Sequence, residues 1–268
     1  MKAFQRHKGN FAVALQKVRA ASQSLATPAQ AIDERMKQGV KADISKNGAW
    51  YAASFNEVNG TILATLLNYN PLVAYSEQAT ESHRKGEFYL TDEVLLNGEP
   101  ATAVLERIAE QDARKSIGRK RVIDLGNQVT HDVSTDSLAD DDTIAFVAQG
   151  KQRADKYGRW LRNKVGIKSL KVYMQNLTGK NKSRGFWLYG VGDGDDSYFD
   201  CNDRGLYGSD SSLFGVYESA EGTSRKKSGP ESKIVRPSLY DVLRFSRPFI
   251  APRNKKDYDA GIKDLFKM

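Results

Sequence analysis

The sequence predicts an α+β fold: a helical N-terminal half, an antiparallel β-meander in the C-terminal half, and helical or extended arms at both ends. Three observations carry this expectation. Apolar residues recur at helical spacing over 11–18 and again after Pro100. Over 168–218, four short runs rich in aromatic and β-branched residues are separated by Gly, Asp, Asn and Ser clusters. Basic residues crowd both termini.

Residues 1–48 read as a basic helical N-terminal arm. Phe11, Ala14, Leu15 and Val18 share one helical face, and Thr27 before Pro28 is an N-cap with proline at the first helical position, where its missing N–H costs nothing. Residues 49–140 read as a mixed, mainly helical region. Its first part, 49–69, is a core element rich in Ala, Leu and aromatics that ends at Asn70-Pro71, because the residue before proline is pushed out of the helical region. The runs 87–90 and 93–96 around Thr91-Asp92, closed by Asn97-Gly98, predict a short hairpin. Pro100 opens a helix with Val104, Leu105, Ile108 and Ala109 on one face, and 122–125 is a short apolar strand.

Residues 141–222 read as an amphipathic basic helix followed by the antiparallel sheet. Asp140, Asp141 and Asp142 put negative charge at the start of a helix over about 143–165, where the dipole favours it. Val147, Ala154, Tyr157, Leu161 and Val165 form its apolar stripe, and Gly166 is its natural stop. Gly150 and Gly158 each cost about 1 kcal/mol relative to Ala within a helix, so a break is expected near one of them. Strands follow over 168–174, 185–191, 197–201 and 213–217. Residues 223–268 read as a basic loop and C-terminal helices near 238–245 and 256–266. A boundary near 140 and one continuous domain over 49–268 fit the pattern equally well.

Composition sets the class. At 268 residues, with 40% hydrophobic and 28% charged side chains and 22 Gly against 7 Pro, the chain is a folded protein rather than a low-complexity one. A single cysteine, Cys201, excludes intramolecular disulfides and cysteine-based zinc fingers. No apolar stretch approaches the roughly 20 residues a membrane helix needs, so no membrane span is expected. The expected location is cytoplasmic or virion-associated. The first 32 residues, which carry Lys2, Arg6, Lys8, Lys17 and Arg19 and no acidic side chain, also have the composition of a mitochondrial transit peptide.

Net charge is +8, but it is the remainder of opposing blocks. Residues 49–113 hold 3 basic and 10 acidic side chains, 114–121 hold 5 and none, 122–145 hold none and 6, and 146–192 hold 11 and 1. Such segregation lets a chain neutralise itself internally or mate acidic and basic surfaces between subunits. The candidate polyanion or nucleic-acid surface is therefore Arg119, Lys120 and Arg121, the helix residues Lys151, Lys156, Arg159 and Arg162, and the loop residues Arg225, Lys226 and Lys227. Each block also reads as the solvated face of one element.

Catalytic signatures are sparse. Asp193, Asp195, Asp196, Asp200 and Asp203 could hold Mg²⁺ and orient a phosphodiester. Asp193-Gly194 between two strands is also ordinary tight-turn chemistry. No other cofactor is implied, and the phosphate-loop, zinc-protease and nucleophile-elbow motifs do not occur. His131 beside Asp132 could serve a hydrolytic site, and Cys201 reads equally well as a packed strand residue. Arg184-Gly185-Phe186 opens like an RNA-recognition strand, but Trp187 stands where that motif needs Gly or Ala. More broadly, Tyr173, Phe186, Trp187, Tyr189, Tyr198, Phe199 and Tyr217 lie on strands beside basic segments, and alternation sends about half of them into the core. The function expected is that of a non-enzymatic structural or assembly protein of a virion-like or other nucleoprotein particle, contacting other subunits and DNA or RNA. The alternatives are a metal-dependent nuclease using the Asp193–Asp203 cluster and a single-stranded nucleic-acid-binding protein.

Overall fold

The computed structural model describes residues 4–191, 198–201, 206–209 and 211–217. In chain order the first half comprises β1 (Phe4–Lys8), α1 (Phe11–Ala20), β2 (Ser24–Leu25), α2 (Pro28–Gln38), α3 (Asp43–Lys46), β3 (Ala49–Val58), β4 (Thr61–Leu66), α4 (Pro71–Ala74), α5 (Ser76–Lys85), β5 (Phe88–Tyr89), β6 (Leu95–Leu96), β7 (Glu99–Pro100) and α6 (Ala101–Asp112). The second comprises β8 (Val122–Asp124), β9 (His131–Ser134), α7 (Asp142–Val147), α8 (Lys151–Trp160), β10 (Ser169–Tyr173), β11 (Lys182–Leu188), β12 (Tyr198–Asp200) and β13 (Ser212–Val216).

Among the described residues, eleven strands join one mixed sheet with the order β1-β13-β3-β11-β12-β10-β9. Strand β2 pairs with β13, β5 with β11, and β4 with both β3 and β8. This corrects the expected fold class. The N-terminal half is not helical, because β1, β3 and β4 run through the sheet, and the later strands are not a meander. Strand β12 lies parallel to β10, and β13 reaches across to pair parallel with β3 and antiparallel with β1. Nor is the N-terminal segment a detached arm: β1 is hydrogen-bonded along its length to β13, and Phe11, Ala14, Leu15 and Val18 of α1 are buried.

The core element expected over 49–69 is thus the pair of strands β3 and β4, not a stretch of the helical half. Every residue of β3 is buried, since helices cover both sheet faces there. Tyr51, Ala53 and Phe55 point toward α2, α7 and α8, while Trp50 and Ala52 point toward α1, α5 and α6. A strand buried on both faces has no polar alternation, so its sequence lacks the period of two. The hairpin forms at Asn97-Gly98, both at positive φ, and joins β6 to β7; Phe88–Tyr89 pairs instead with β11.

Local signals hold where the physics is local. Thr27 caps α2 through a capping box with Gln30, and α6 buries Val104, Leu105 and Ile108. The basic helix breaks at Gly150 into α7 and α8, with a π-turn over Leu161–Val165 and Gly166 in the left-handed conformation after it. Gly158 continues α8 because its Cα lies against the Thr135 carbonyl, where a Cβ would collide. Gly185 in β11 similarly admits the Trp50 ring, which a Cβ would approach to 2.8 Å. The expected loop over 219–230 and the helices near 238–245 and 256–266 lie outside the described residues.

Candidate functional site

Alternation on β9, β10, β12 and β11 separates two faces. Leu170, Val172, Phe186, Leu188 and Phe199 point into the core. The opposite face carries Lys171 and Tyr173 from β10 and Tyr198 and Asp200 from β12, with Trp187 from β11 and Tyr189 just beyond it. Lys171 sits beside Tyr198, and Tyr173 beside Asp200, in the strand register. The three tyrosines are half-buried and Lys171 is exposed. Their rings touch in series: Tyr189 to Tyr198 at 3.6 Å, Tyr198 to Tyr173 at 5.0 Å, and Lys171 Nζ 5.5 Å from the Tyr173 ring. Behind them, Trp187 meets Tyr189 at 6.0 Å and Trp50 edge-on at 5.0 Å. Such edge contacts contribute about 0.5–1.5 kcal/mol each beyond burial and fix ring orientation. The result is a pre-organised aromatic surface backed by the core.

The basic residues expected to form one surface divide into three groups. Arg119, Lys151 and Lys156 line a cleft of about 670 Å³ between α2, the turn over Ile117–Arg119 and the start of α8, together with Asp33, Gln149 and Arg153. No described residue hydrogen-bonds or ion-pairs with the side chains of those three cations. Arg153, by contrast, is held by Asp33 at 2.9 Å and by the Ala148 carbonyl at 2.6 Å. The second group is engaged locally. Lys120 donates to the carbonyls of Asp112 and Ala113, and Arg121 clamps the buried Asp112 carboxylate at 2.8 Å. Arg159 pairs with Asp155 one turn away, and Arg162 with Asp136. Arg121, joined by Lys115, holds the Asp112 carboxyl well below the usual carboxylate range despite its burial. The third group, Arg225, Lys226 and Lys227, lies outside the described residues.

On the neighbouring surface an acidic groove of about 430 Å³ runs between β4, α6 and β8, with Glu106, Glu110 and Asp124 in its walls. Glu106 accepts from Asn59 and Asp124 from Thr61, each at 2.6 Å, and none of the three carboxylates pairs with a cation among the described residues.

The candidate catalytic groups take other positions. Asp193, Asp195, Asp196 and Asp203 lie outside the described residues, while Asp200 is buried in β12 on the tyrosine face. His131 turns away from its sequence neighbour Asp132. Its Nε2 lies 2.7 Å from Asp141, the residue that caps α7, and its Nδ1 lies 2.8 Å from the Val129 carbonyl. Burial pulls its pKa down, but the Val129 carbonyl and the Asp141 carboxylate outweigh that and raise it. Cys201 is fully buried, and burial pushes its thiol well up. Arg184 of the Arg-Gly-Phe run pairs with Glu87 at 2.5 Å.

Two buried charges had no sequence signal. Arg35 of α2, wholly inaccessible, donates to the carbonyls of Ile44 at 2.8 Å and Tyr189 at 2.6 Å, tying α2 to the end of β11 beside the tyrosine face. Glu57 of β3 accepts the backbone N–H groups of Thr178 and Gly179 at 2.7 and 2.6 Å, anchoring the loop that leads into β11.

No protein-family model matches the chain, and no curated protein matches it. Among solved structures, the chain is similar to one described as "Accommodation of massive sequence variation in Nanoarchaeota by the C-type lectin fold", with a TM-score of 0.55 and 11% identity over 81% of this chain and 96% of that chain. At this identity the similarity shows the fold alone: the chain has a C-type lectin-like fold rather than the α+β division the sequence predicts. Among the described residues no helix is long and apolar enough to cross a membrane.

Proposed function

We propose that this chain is a non-enzymatic recognition and assembly protein, a component of a virion-like or other macromolecular particle, whose tyrosine-lined sheet face contacts a protein partner. The observation that carries the reading is the placement of Tyr173, Tyr189 and Tyr198 on one face by three adjacent strand segments, with their rings already in contact. Tyrosine supplies large, amphipathic contact area and loses only two torsions on ordering, and rings fixed before binding lose less still. Lys171 and Asp132 at the margin add charge for orientation. The non-enzymatic part of the reading is supported by the roles of the two expected reactive groups: His131 is engaged with a helix cap and Cys201 is buried with a raised pKa. In the structural neighbour the same fold is described as accommodating massive sequence variation, which suits a scaffold whose binding chemistry is separable from its core.

The test compares wild type with Tyr173→Ser/Tyr189→Ser/Tyr198→Ser. A partner captured by the wild type is identified, purified and titrated against both proteins. Loss of at least about tenfold in affinity is expected for the triple variant, in line with truncated aromatic anchors. Equal affinity rejects the face as the contact. Quenching of tryptophan fluorescence by single-stranded oligonucleotides, lost in the same variant, replaces the protein partner with a stacked nucleic acid.

A further inference from the structure

Among the described residues, two concave surfaces each gather charges that have no internal partner, and the two are opposite in sign. Arg119, Lys151 and Lys156 face the cleft at the start of α8; Glu106, Glu110 and Asp124 face the groove along α6. The two surfaces adjoin along the chain. Ala113 lines the acidic groove and Ser116 lines the basic cleft. Three residues of chain span at most about 11 Å, so the patches are neighbours rather than opposite poles. Around them, several cations are already matched: Arg121 and Lys115 by Asp112, Arg153 by Asp33, Arg159 by Asp155 and Arg162 by Asp136.

We infer that the basic cleft receives the acidic α6 groove of a second copy of this chain. Because the positive and negative patches adjoin, a two-fold rotation sets each cleft against the partner's groove, and both contacts close at once. A self-complementary patch of this kind is the usual basis of a closed homodimer. The same patches on separate monomers attract at long range, which speeds encounter and makes association depend on salt.

Charge reversal tests it on the full chain. Wild type should dimerise in sedimentation velocity at low ionic strength, and its dissociation constant should rise at least about tenfold between about 0.05 and about 0.5 M salt, as screening shortens. Lys151→Glu/Lys156→Glu and Glu106→Lys/Glu110→Lys should each be monomeric under the low-salt condition, because every contact in either homodimer then opposes like charges. An equimolar mixture of the two variants should dimerise again, since one contact is inverted and the other is native. All four substitutions fall on helix surfaces, and unchanged circular dichroism and melting temperature would show that the fold is intact. A wild type that stays monomeric at low salt overturns the inference, as does a dimer indifferent to both variants or a mixture that stays monomeric. If the wild type is monomeric and its cleft binds oligonucleotides with a steep salt dependence lost in Lys151→Glu/Lys156→Glu, the cleft belongs to a polyanion instead.

Discussion

Between pH 6.5 and 4, acidification acts on this fold through the imidazole of His83. The ring sits in the last turn of α5 with 4% of the residue exposed, and among the described residues its nitrogens make no well-formed hydrogen bond, only a weak approach to the Ser183 main chain. Burial and then the nearby Arg184 guanidinium lower its pKa from 6.5 to about 4, a shift that the Ser183 main chain only partly offsets. The unfolded chain therefore binds a proton that the folded chain refuses throughout this window, so stability falls as pH falls from 6.5 and the loss levels off below 4. A change of that size amounts to about 3 kcal/mol, a large share of the 5–15 kcal/mol typical of a domain. The assay is urea unfolding of wild type and His83→Leu at steps from pH 7 to pH 4, comparing free energies at each step. At pH 7 the leucine variant should be equal to or more stable than wild type, because it removes two buried nitrogens that make no well-formed hydrogen bond. By pH 4 its advantage should have grown by about 3 kcal/mol. Profiles that run parallel from pH 7 to pH 4 would refute the reasoning, for they would mean that the ring is neither desolvated nor crowded by Arg184.

His131 should behave in the opposite sense: its raised pKa stabilises the fold below pH 6.5, and that contribution fades as pH climbs through the folded value. The stability gap between wild type and His131→Asn should therefore be wider at pH 6 than at pH 8.5 in denaturant titrations. Gly158→Ala gains about 1 kcal/mol of helix propensity but drives a methyl group into the Thr135 carbonyl; a net loss of about 1–3 kcal/mol is expected, and a raised melting temperature would contradict the close approach. Arg35→Met strands the carbonyls of Ile44 and Tyr189 without donors and should lower stability by about 2–5 kcal/mol. An Arg35→Lys variant should recover only part of it, because a single ammonium cannot reproduce the planar fork; full recovery in calorimetry would count against a geometric role.

What was legible in the sequence was local. The stripe Phe11, Ala14, Leu15 and Val18, the Thr27 cap, the α6 face and the break at Gly150 all depend on residues within a few positions of one another, and all are present. The sheet was not legible, because its order depends on contacts across the whole chain: Phe4 pairs with Val216 and Trp50 with Leu213. Strand β3, buried on both sides, offers the same apolar run to a helical or an extended reading. Alternation correctly implied that about half of these aromatics turn inward, but not which half. Register decides that, and it sends Phe186 and Phe199 into one core cluster while Tyr173 and Tyr198 lie half-buried on the opposite face, where Tyr189 packs against the second cluster. Among the cations, spacing could not separate Arg162, matched by the distant Asp136, from Lys151, matched by nothing described.

The tyrosine face and the core are built from the same strands, and their energetics differ because of that alternation. Replacing Phe199 or Val172 removes a buried side chain packed among Leu170, Leu188 and Phe186; losing a buried aromatic costs about 3–5 kcal/mol, and the surrounding core cannot fully collapse to compensate. Replacing Tyr173 or Tyr198 forfeits ring contacts worth about 0.5–1.5 kcal/mol each and a half-buried surface. The two-residue period of a strand thus lets one position vary while its neighbour holds the fold. Edge contacts from Trp50 and Trp187, and the Arg35 bond to the Tyr189 carbonyl, keep the outer face in place without drawing it into the core. Substitution at Lys171, Tyr173 and Tyr198 should therefore cost a fraction of the stability that the adjacent core positions demand.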